Sequence, residues 1–239
     1  MGSVSEIKKK IAILMNGNTE TLNIPAGNKE VVNTTLEYKD VSFGFGDKTL
    51  YDHFNYTFED KKTYAIVGES GIGKTTLAKL ALRYYEPTSG EIRLDNQDLE
   101  SVDESGLYQK IKYVSQTPYL FNDTIIHNIT MLHEYDEKMI TDILEYTNLT
   151  ELVHQTESEK IGDFGNKISG GEKQRIALAR VLLSNPEIIF FDEPTSSLDP
   201  ENQKLVEHMI FNLKNITRIV ITHNQTEKFL SQFDEVVRL

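Results

Sequence analysis

Residues Gly68-Glu69-Ser70-Gly71-Ile72-Gly73-Lys74-Thr75 follow the pattern G-x-x-x-x-G-K-[ST], a spacing suited to phosphate. The glycines let backbone N–H groups approach phosphate oxygens, and a helix beginning there adds a favourable dipole. Lys74 has the reach for β- and γ-phosphates, and the Thr75 hydroxyl is a hard oxygen ligand for Mg²⁺; Thr76 extends the phosphate-facing run. Further on, Ile188-Ile189-Phe190-Phe191 is an apolar run ending in two carboxylates, Asp192 and Glu193. Strand ends of open α/β sheets are where ligands bind. Asp192 would hold the Mg²⁺ shell there, and Glu193 would polarise an attacking water as general base. Taken alone, the pair also reads as solvated acids at a strand end; the phosphate loop upstream favours the chemical reading.

A third stretch is Ile168-Ser169-Gly170-Gly171-Glu172-Lys173-Gln174-Arg175. Ser169 fits a helix N-cap and Glu172 sits three residues on, which is a capping box. Two glycines at a helix start cost backbone entropy, yet they open N–H groups to an anion. The stretch therefore reads as both a cap and a second phosphate-facing element. One nucleotide does not obviously need two.

These residues need a scaffold. Leu36 to Phe45, Tyr51 to Phe58 and Tyr64 to Val67 are short alternating or aromatic-rich runs, and the pattern predicts strands. The last runs straight into the phosphate loop, and Thr75 to Tyr84 is predicted as the helix that follows. Ile111 to Val114 is a strand leading to Gln116. Residues 119–167 mix helical spacing (Met139, Ile143, Leu144) with many polar side chains and read as an inserted helical lobe. After Gly171 a helix runs to Leu183 and stops before Pro186. Ile188 to Phe191 and Arg218 to Thr222 are dense in apolar residues, as fits strands covered on both faces of a mostly parallel sheet. Residues 1–33 are polar, with turn signals at Asn16-Gly17-Asn18 and Pro25-Ala26-Gly27 and helical spacing at Ile7, Ile11 and Leu14. Met1-Gly2-Ser3 reads either as a native start or as an expression remnant.

Composition narrows the classes. The 239 residues suffice for one large domain or a core with an inserted lobe, and 38% hydrophobic with 26% charged residues fits a soluble globular protein. No run approaches the ~18 apolar residues of a membrane span, and Ile11 to Met15 is too short for a secretory signal. There is no cysteine, so nothing suggests disulfides. A net charge of −12 argues against a nucleic-acid partner, which usually meets a basic stripe.

In order and spacing, the motifs from about residue 36 to the end resemble the ATP-binding cassette, the nucleotide-binding domain of ABC transporters. The resemblance implies an α/β fold: a P-loop NTPase core with a mostly parallel sheet, an N-terminal antiparallel β subdomain and an inserted α-helical subdomain at about 117–172. It implies a cassette at 34–239, with 1–33 as a linker from a membrane domain. Gly68, Glu69, Ser70, Gly71, Ile72, Gly73, Lys74, Thr75 and Thr76 correspond to the Walker A loop, which binds ATP. Asp192 and Glu193 correspond to Walker B, and Thr75, Gln116 and Asp192 to the Mg²⁺ site. Gln116 matches the Q-loop, which contacts Mg²⁺ or the water; His223 matches the switch histidine that contacts the γ-phosphate and orients base and water. The other histidines show no metal-ligand spacing. Ser169, Gly170, Gly171 and Glu172 match the signature loop, which grips the γ-phosphate of an ATP held by a partner subunit. Ser197-Leu198-Asp199 matches the D-loop, which crosses that interface. Phe45 falls where an adenine-stacking aromatic sits, and reads otherwise as an ordinary half-buried strand phenylalanine. Three positions depart from the usual pattern: Glu172 for Gln, Ile168 for Leu and Phe45 for Tyr.

Leu120-Phe121-Asn122-Asp123-Thr124-Ile125 with Asn128-Ile129 resembles the exporter branch, and Ile161-Gly162-Asp163-Phe164-Gly165 resembles the exporters' cross-subunit loop. The ending at Val236-Val237-Arg238-Leu239 is abrupt for such a domain, so an excised domain is expected. The expected function is Mg²⁺-dependent ATP hydrolysis at the cytoplasmic face of a membrane. Two cassettes, identical or paralogous, would close head to tail over two ATP and drive a transmembrane domain. A non-hydrolytic, regulatory cassette is the alternative that Glu172 raises. A cassette ATPase of DNA repair or translation is a second alternative, but neither coiled-coil insertions nor tandem cassettes occur.

Overall fold

The computed structural model describes residues 34–156 and 159–239. The expected linker 1–33, with its helical spacing at Ile7, Ile11 and Leu14, lies outside the described residues.

Two sheets form the frame. Strands β1 (Leu36–Phe45), β2 (Lys48–Phe58), β4 (Ser89–Leu94) and β5 (Gln97–Asp98) make an antiparallel sheet in the order β2-β1-β4-β5. Strands β3 (Thr63–Val67), β6 (Ile111–Val114), β7 (Ile188–Asp192), β8 (Thr217–Ile221) and β9 (Glu235–Arg238) make a parallel sheet in the order β6-β7-β8-β3-β9. β2 begins three residues before the expected Tyr51, because the turn at Gly46 and Asp47 pairs Lys48 with Phe45 at once. Sequence reading missed β4 and β5. They join at Asp95 and Asn96, both left-handed (φ 54° and 63°), as a two-residue hairpin turn requires.

Side-chain alternation along the parallel strands splits the interior into two cores. Tyr64 and Ile66, Ile188 and Phe190, and Ile219 and Ile221 face the antiparallel sheet. Ala65 and Val67, Ile189 and Phe191, and Val220 face the helices. In the first core Phe58 meets Tyr64, Tyr38 and Phe190 edge-on, at centroid distances of 4.9, 6.0 and 6.3 Å. Each such ring contributes roughly 1.5–3 kcal/mol by burial.

The helices are α1 (Lys74–Ala81), α2 (Glu104–Lys110), α3 (Ile125–Thr130), α4 (Glu137–Tyr146), α5 (Thr150–Thr156), α6 (Gly170–Leu183), α7 (Pro200–Asn212) and α8 (Glu227–Leu230). Helix α1 stops three residues short of the expected Tyr84. Tyr84 N–H donates to the Lys79 carbonyl and Arg83 N–H to that of Leu80, with Arg83 left-handed at φ 57°. That is a Schellman closure without glycine.

Helices α3 to α5 form the inserted lobe, which packs on α6. Asn128, 1% exposed, ties it together. Its amide donates to the carbonyls of Phe121 and Thr124, each at 3.0 Å, and its side-chain oxygen accepts from Phe121 N–H at 2.8 Å. Arg180 of α6 donates to the Asn128 carbonyl (2.7 Å) and to that of Tyr119 (2.9 Å). The exporter-like run at 120–129 is thus the clamp between lobe and α6.

Candidate functional site

The parallel sheet delivers the chemistry at its carboxyl edge. The phosphate loop leaves β3, Gln116 follows β6, Asp192 ends β7 with Glu193 next, and His223 follows β8. A cavity of about 350 Å³ opens there, lined by Phe45, Lys48, Leu50, Ser70, Gly71, Gly73, Lys74, Thr75, Thr76, Gln116, Asp192, Glu193, Ile221 and His223. Gly68, Glu69 and Ile72 belong to the same loop without lining the cavity. Ser169, Gly170, Gly171, Glu172 and Asp199 are not brought to it.

The loop is braced from inside and behind. Lys74 Nζ donates to the carbonyls of Gly68 (2.9 Å) and Glu69 (2.8 Å). Burial lowers its pKa, partly offset by the negative fields of Glu193 and Asp192. Gly73 has φ 120°, and a Cβ there would stand 2.6 Å from the Tyr51 hydroxyl. That hydroxyl donates to the Gly73 carbonyl at 2.5 Å. A side chain at 73 would thus meet both strain and a clash, so only glycine fits.

The carboxylates differ. Asp192 Oδ2 accepts from Thr75 Oγ1 at 2.8 Å and from the Tyr113 hydroxyl at 2.6 Å. Glu193 sits in the left-handed region at φ 49°, a strain that concentrates at functional positions. Its side chain is 13% exposed, and His223 Nε2 stands 3.3 Å from Oε1. That approach is an ion-pair distance without hydrogen-bond alignment, since Oε1 is buried with no hydrogen-bond partner among the described residues. Burial raises the Glu193 pKa against the lowering field of His223. A buried acceptor with an unused lone pair beside a cavity suits a water or a hydroxyl donor.

Gln116 does not point its amide at the carboxylates. Its Nε2 donates to Ser196 Oγ (3.0 Å), and Ser196 Oγ donates to the Glu193 carbonyl (3.1 Å). Gln174 of α6 donates to the Gln116 carbonyl at 2.7 Å. Phe45 is 47% exposed, and Phe43 and Tyr85 contact it edge-on at 5.0 and 5.2 Å.

The second Gly-rich element stands apart. Ser169 Oγ accepts from Glu172 N–H at 3.3 Å and Glu172 Oε2 accepts from Ser169 N–H at 2.6 Å, so the capping box is present. A Cβ on Gly171 would lie 2.4 Å from Asn202 Oδ1, which gives this glycine a packing reason inside the chain. Asp199 caps α7, accepting from the N–H groups of Glu201 and Asn202, both at 3.1 Å, and from Asn202 Nδ2 at 2.6 Å. Those bonds lower its pKa. Phe164, 64% exposed, stands against Tyr119 at 5.3 Å.

Sequence reasoning missed Tyr51, Lys48, Ser196 and Tyr113. None belongs to a motif. Tyr51, Ser196 and Tyr113 act through neighbours that only the folded chain supplies, and Lys48 Nζ donates to the Gly71 carbonyl at 3.1 Å.

A P-loop cradle at the carboxyl edge of a parallel sheet, flanked by an antiparallel sheet and a helical lobe, defines a nucleotide-binding NTPase fold. The family model for ABC transporter matches residues 51–196. The chain belongs to that family, as a nucleotide-binding domain of exporter type. It is 38% identical over 205 residues to the ATP-dependent lipid A-core flippase of Francisella tularensis subsp. holarctica, covering 82% of this chain and 34% of the flippase. It is 36% identical over 195 residues to ABC transporter B family member 13 of Arabidopsis thaliana, covering 79% and 16%. The chain thus spans about a third or less of these curated relatives. The structure of a bacterial Atm1-family ABC exporter with ATP bound matches with a TM-score of 0.79 at 29% identity, over 97% of this chain and 42% of that one. Among the described residues no helix is long and apolar enough to cross a membrane.

Proposed function

We propose that this domain binds and hydrolyses ATP to ADP and phosphate with Mg²⁺, as the motor of an exporter. The observation that carries the reading is the convergence of Lys74, the Thr75–Asp192 pair and Glu193 with His223 on one cavity edged by Phe45. Gly68 to Thr76 cradle the phosphates, and the ring of Phe45 stacks on adenine. Thr75 and Asp192, hard oxygen donors 2.8 Å apart, fit Mg²⁺, with Gln116 as the further donor the family pattern implies. Among the described residues no cluster of three His, Cys, Asp or Glu could hold a metal alone. The remaining ligands would therefore come from phosphate and water. Bound there, Mg²⁺ neutralises charge on the transferring phosphoryl group. Lys74 adds a fixed positive charge. Glu193 Oε1 takes the proton of the attacking water, and His223 Nε2 orients both.

Ser169, Gly170, Gly171 and Glu172, with Asp199 nearby, complete the site of a second cassette, so two copies or a paralogous pair close head to tail over two ATP. The capping box holds the Glu172 charge in its own helix, which supports hydrolysis over the regulatory alternative. The cassette occupies 34–239 with its lobe at 117–172, and 1–33 joins it to a transmembrane domain at the cytoplasmic face of the membrane. Phosphate release by the purified domain tests this, measured with and without Mg²⁺ over a range of protein concentration. The expected rate needs Mg²⁺ and rises faster than linearly with protein. No Mg²⁺-dependent release sinks the ATPase reading; strict proportionality to protein sinks the paired site.

A further inference from the structure

Asp192 is held from two directions. Thr75 reaches it from α1, across the face that opens on the cavity. Tyr113 reaches it from β6, and Tyr113 does not line the cavity. The register explains the reach. β6 and β7 run parallel with Tyr113 paired to Phe190, so Tyr113 stands beside the strand that ends at Asp192. Phe190 and Asp192 share a sheet face, because side chains alternate along a strand. The Tyr113 ring packs at the edge of the inter-sheet core that holds Phe190, and its hydroxyl stands 2.6 Å from Asp192 Oδ2.

Both hydrogen bonds that fix the Asp192 side chain end on Oδ2. Thr75 gives its proton to that oxygen, which leaves the lone pairs of its own Oγ1 for another partner. Among the described residues the Tyr113 hydroxyl donates its one proton to the same oxygen. Asp192 itself is only 7% exposed, so little water competes for Oδ2. Without Tyr113 the carboxylate would rest on Thr75 alone, and Thr75 sits on the loop that must accommodate the ligand.

We propose that Tyr113 is a positioning residue for the cation site: its hydroxyl pins Asp192 Oδ2 from behind and thereby presets the carboxylate that meets Mg²⁺. This rests on the Mg-ATP reading of the cavity. Outer partners of metal-binding carboxylates typically matter by ~10–100-fold in metal affinity. An effect of that size belongs to the cation and not to the phosphate loop, because Tyr113 makes no hydrogen bond to residues 68–76.

Tyr113→Phe keeps the ring and deletes one oxygen. The measurement is binding of a fluorescently labelled ATP, first in EDTA and then across a Mg²⁺ titration, with Mn²⁺ binding by electron paramagnetic resonance as a second readout. Tyr113→Leu, which removes ring and hydroxyl together, accompanies it. In EDTA, Tyr113→Phe should bind the labelled ATP like the parent. Its Mg²⁺ midpoint should rise ~10-fold or more, and its Mn²⁺ affinity should fall in step. Tyr113→Leu should move the Mg²⁺ midpoint at least as far. A parent protein whose ATP binding ignores Mg²⁺ would overturn the cation site itself. A Mg²⁺-sensitive parent with an unchanged midpoint in Tyr113→Phe would overturn the role of Tyr113 alone. Equal losses in EDTA and in Mg²⁺ would make Tyr113 a packing residue, which also overturns the proposal.

Discussion

Helices α1 and α6 both start within a glycine-bearing, phosphate-type motif, yet their first turns are finished differently. α1 starts after Gly73 with no side-chain cap. Its first residues, Lys74, Thr75 and Thr76, line a cavity also furnished with Asp192 and Glu193. α6 starts after Ser169 with a complete capping box, away from that cavity. A helix start left uncapped among convergent polar groups is a preformed anion site. A capped start at the surface is satisfied by its own chain, and any ligand must compete with the cap. The difference teaches that the first element is left open to a ligand within this chain, whereas the second is satisfied by its own cap.

That contrast is open to attack at both ends. The largest effect is expected at the cavity. Glu193→Gln keeps shape but loses the basic oxygen, so turnover should drop ~10²–10⁴-fold while ATP binding persists. The trapped species should run as an ATP-dependent dimer on sizing chromatography. Near-parental turnover would remove Glu193 from its role.

At the other end, Ser169→Arg removes the cap and fills the space before α6. Steady-state ATPase at saturating Mg-ATP should fall far more than in Glu172→Gln, which retains the cap. Glu172→Gln should change the rate less than ~10-fold, under ~1.4 kcal/mol. An inert parent rescued a hundredfold by Glu172→Gln would mean that the carboxylate acts on a nucleotide and not as a cap.

The rim of the cavity should matter less. Phe45→Ala should weaken ATP binding by about 1–3 kcal/mol, the loss of one base–aromatic stack, and Phe45→Tyr should be nearly silent. Calorimetry with Mg-ATP on the Glu193→Gln background measures both. Equal affinity in Phe45→Ala would leave the ring to Phe43 and Tyr85 alone.

The smallest effect concerns proton linkage at Glu193. Burial raises its folded-state pKa above the ordinary 4.5. The folded carboxyl therefore holds its proton more tightly than the unfolded one. Its stabilising contribution is complete below the unfolded value and fades as pH rises through the folded one. Glu193→Gln lacks this loss. Its melting temperature relative to the parent should thus rise as the pH is raised from about 4.5. A difference that shrinks with pH would place the Glu193 pKa on the other side of its ordinary value.

Much of the site was legible because its residues are adjacent in sequence. Gly68 to Thr75 and Ser169 to Glu172 declare their local geometry through glycine conformations and capping. Asp192 and Glu193 were readable because they end a run buried on both faces. The hairpin of β4 and β5 was readable in principle from Asp95 and Asn96, but its polar strands carried little pattern. The early end of α1 was not readable, since a left-handed Arg83 has no sequence signal.

By itself, then, the sequence determined the strands that lead into the site, the phosphate loop, the paired carboxylates and the cap at Ser169, because each depends on residues a few positions apart. The tertiary structure decided what stands behind them. Tyr51 presses on Gly73, Tyr113 pins Asp192, Gln116 turns to Ser196 and Asn202 fills the space beside Gly171. These contacts join segments far apart in the chain, and strand register and sheet order set them. A residue's type states which hydrogen bonds it makes well; only the fold supplies the partner.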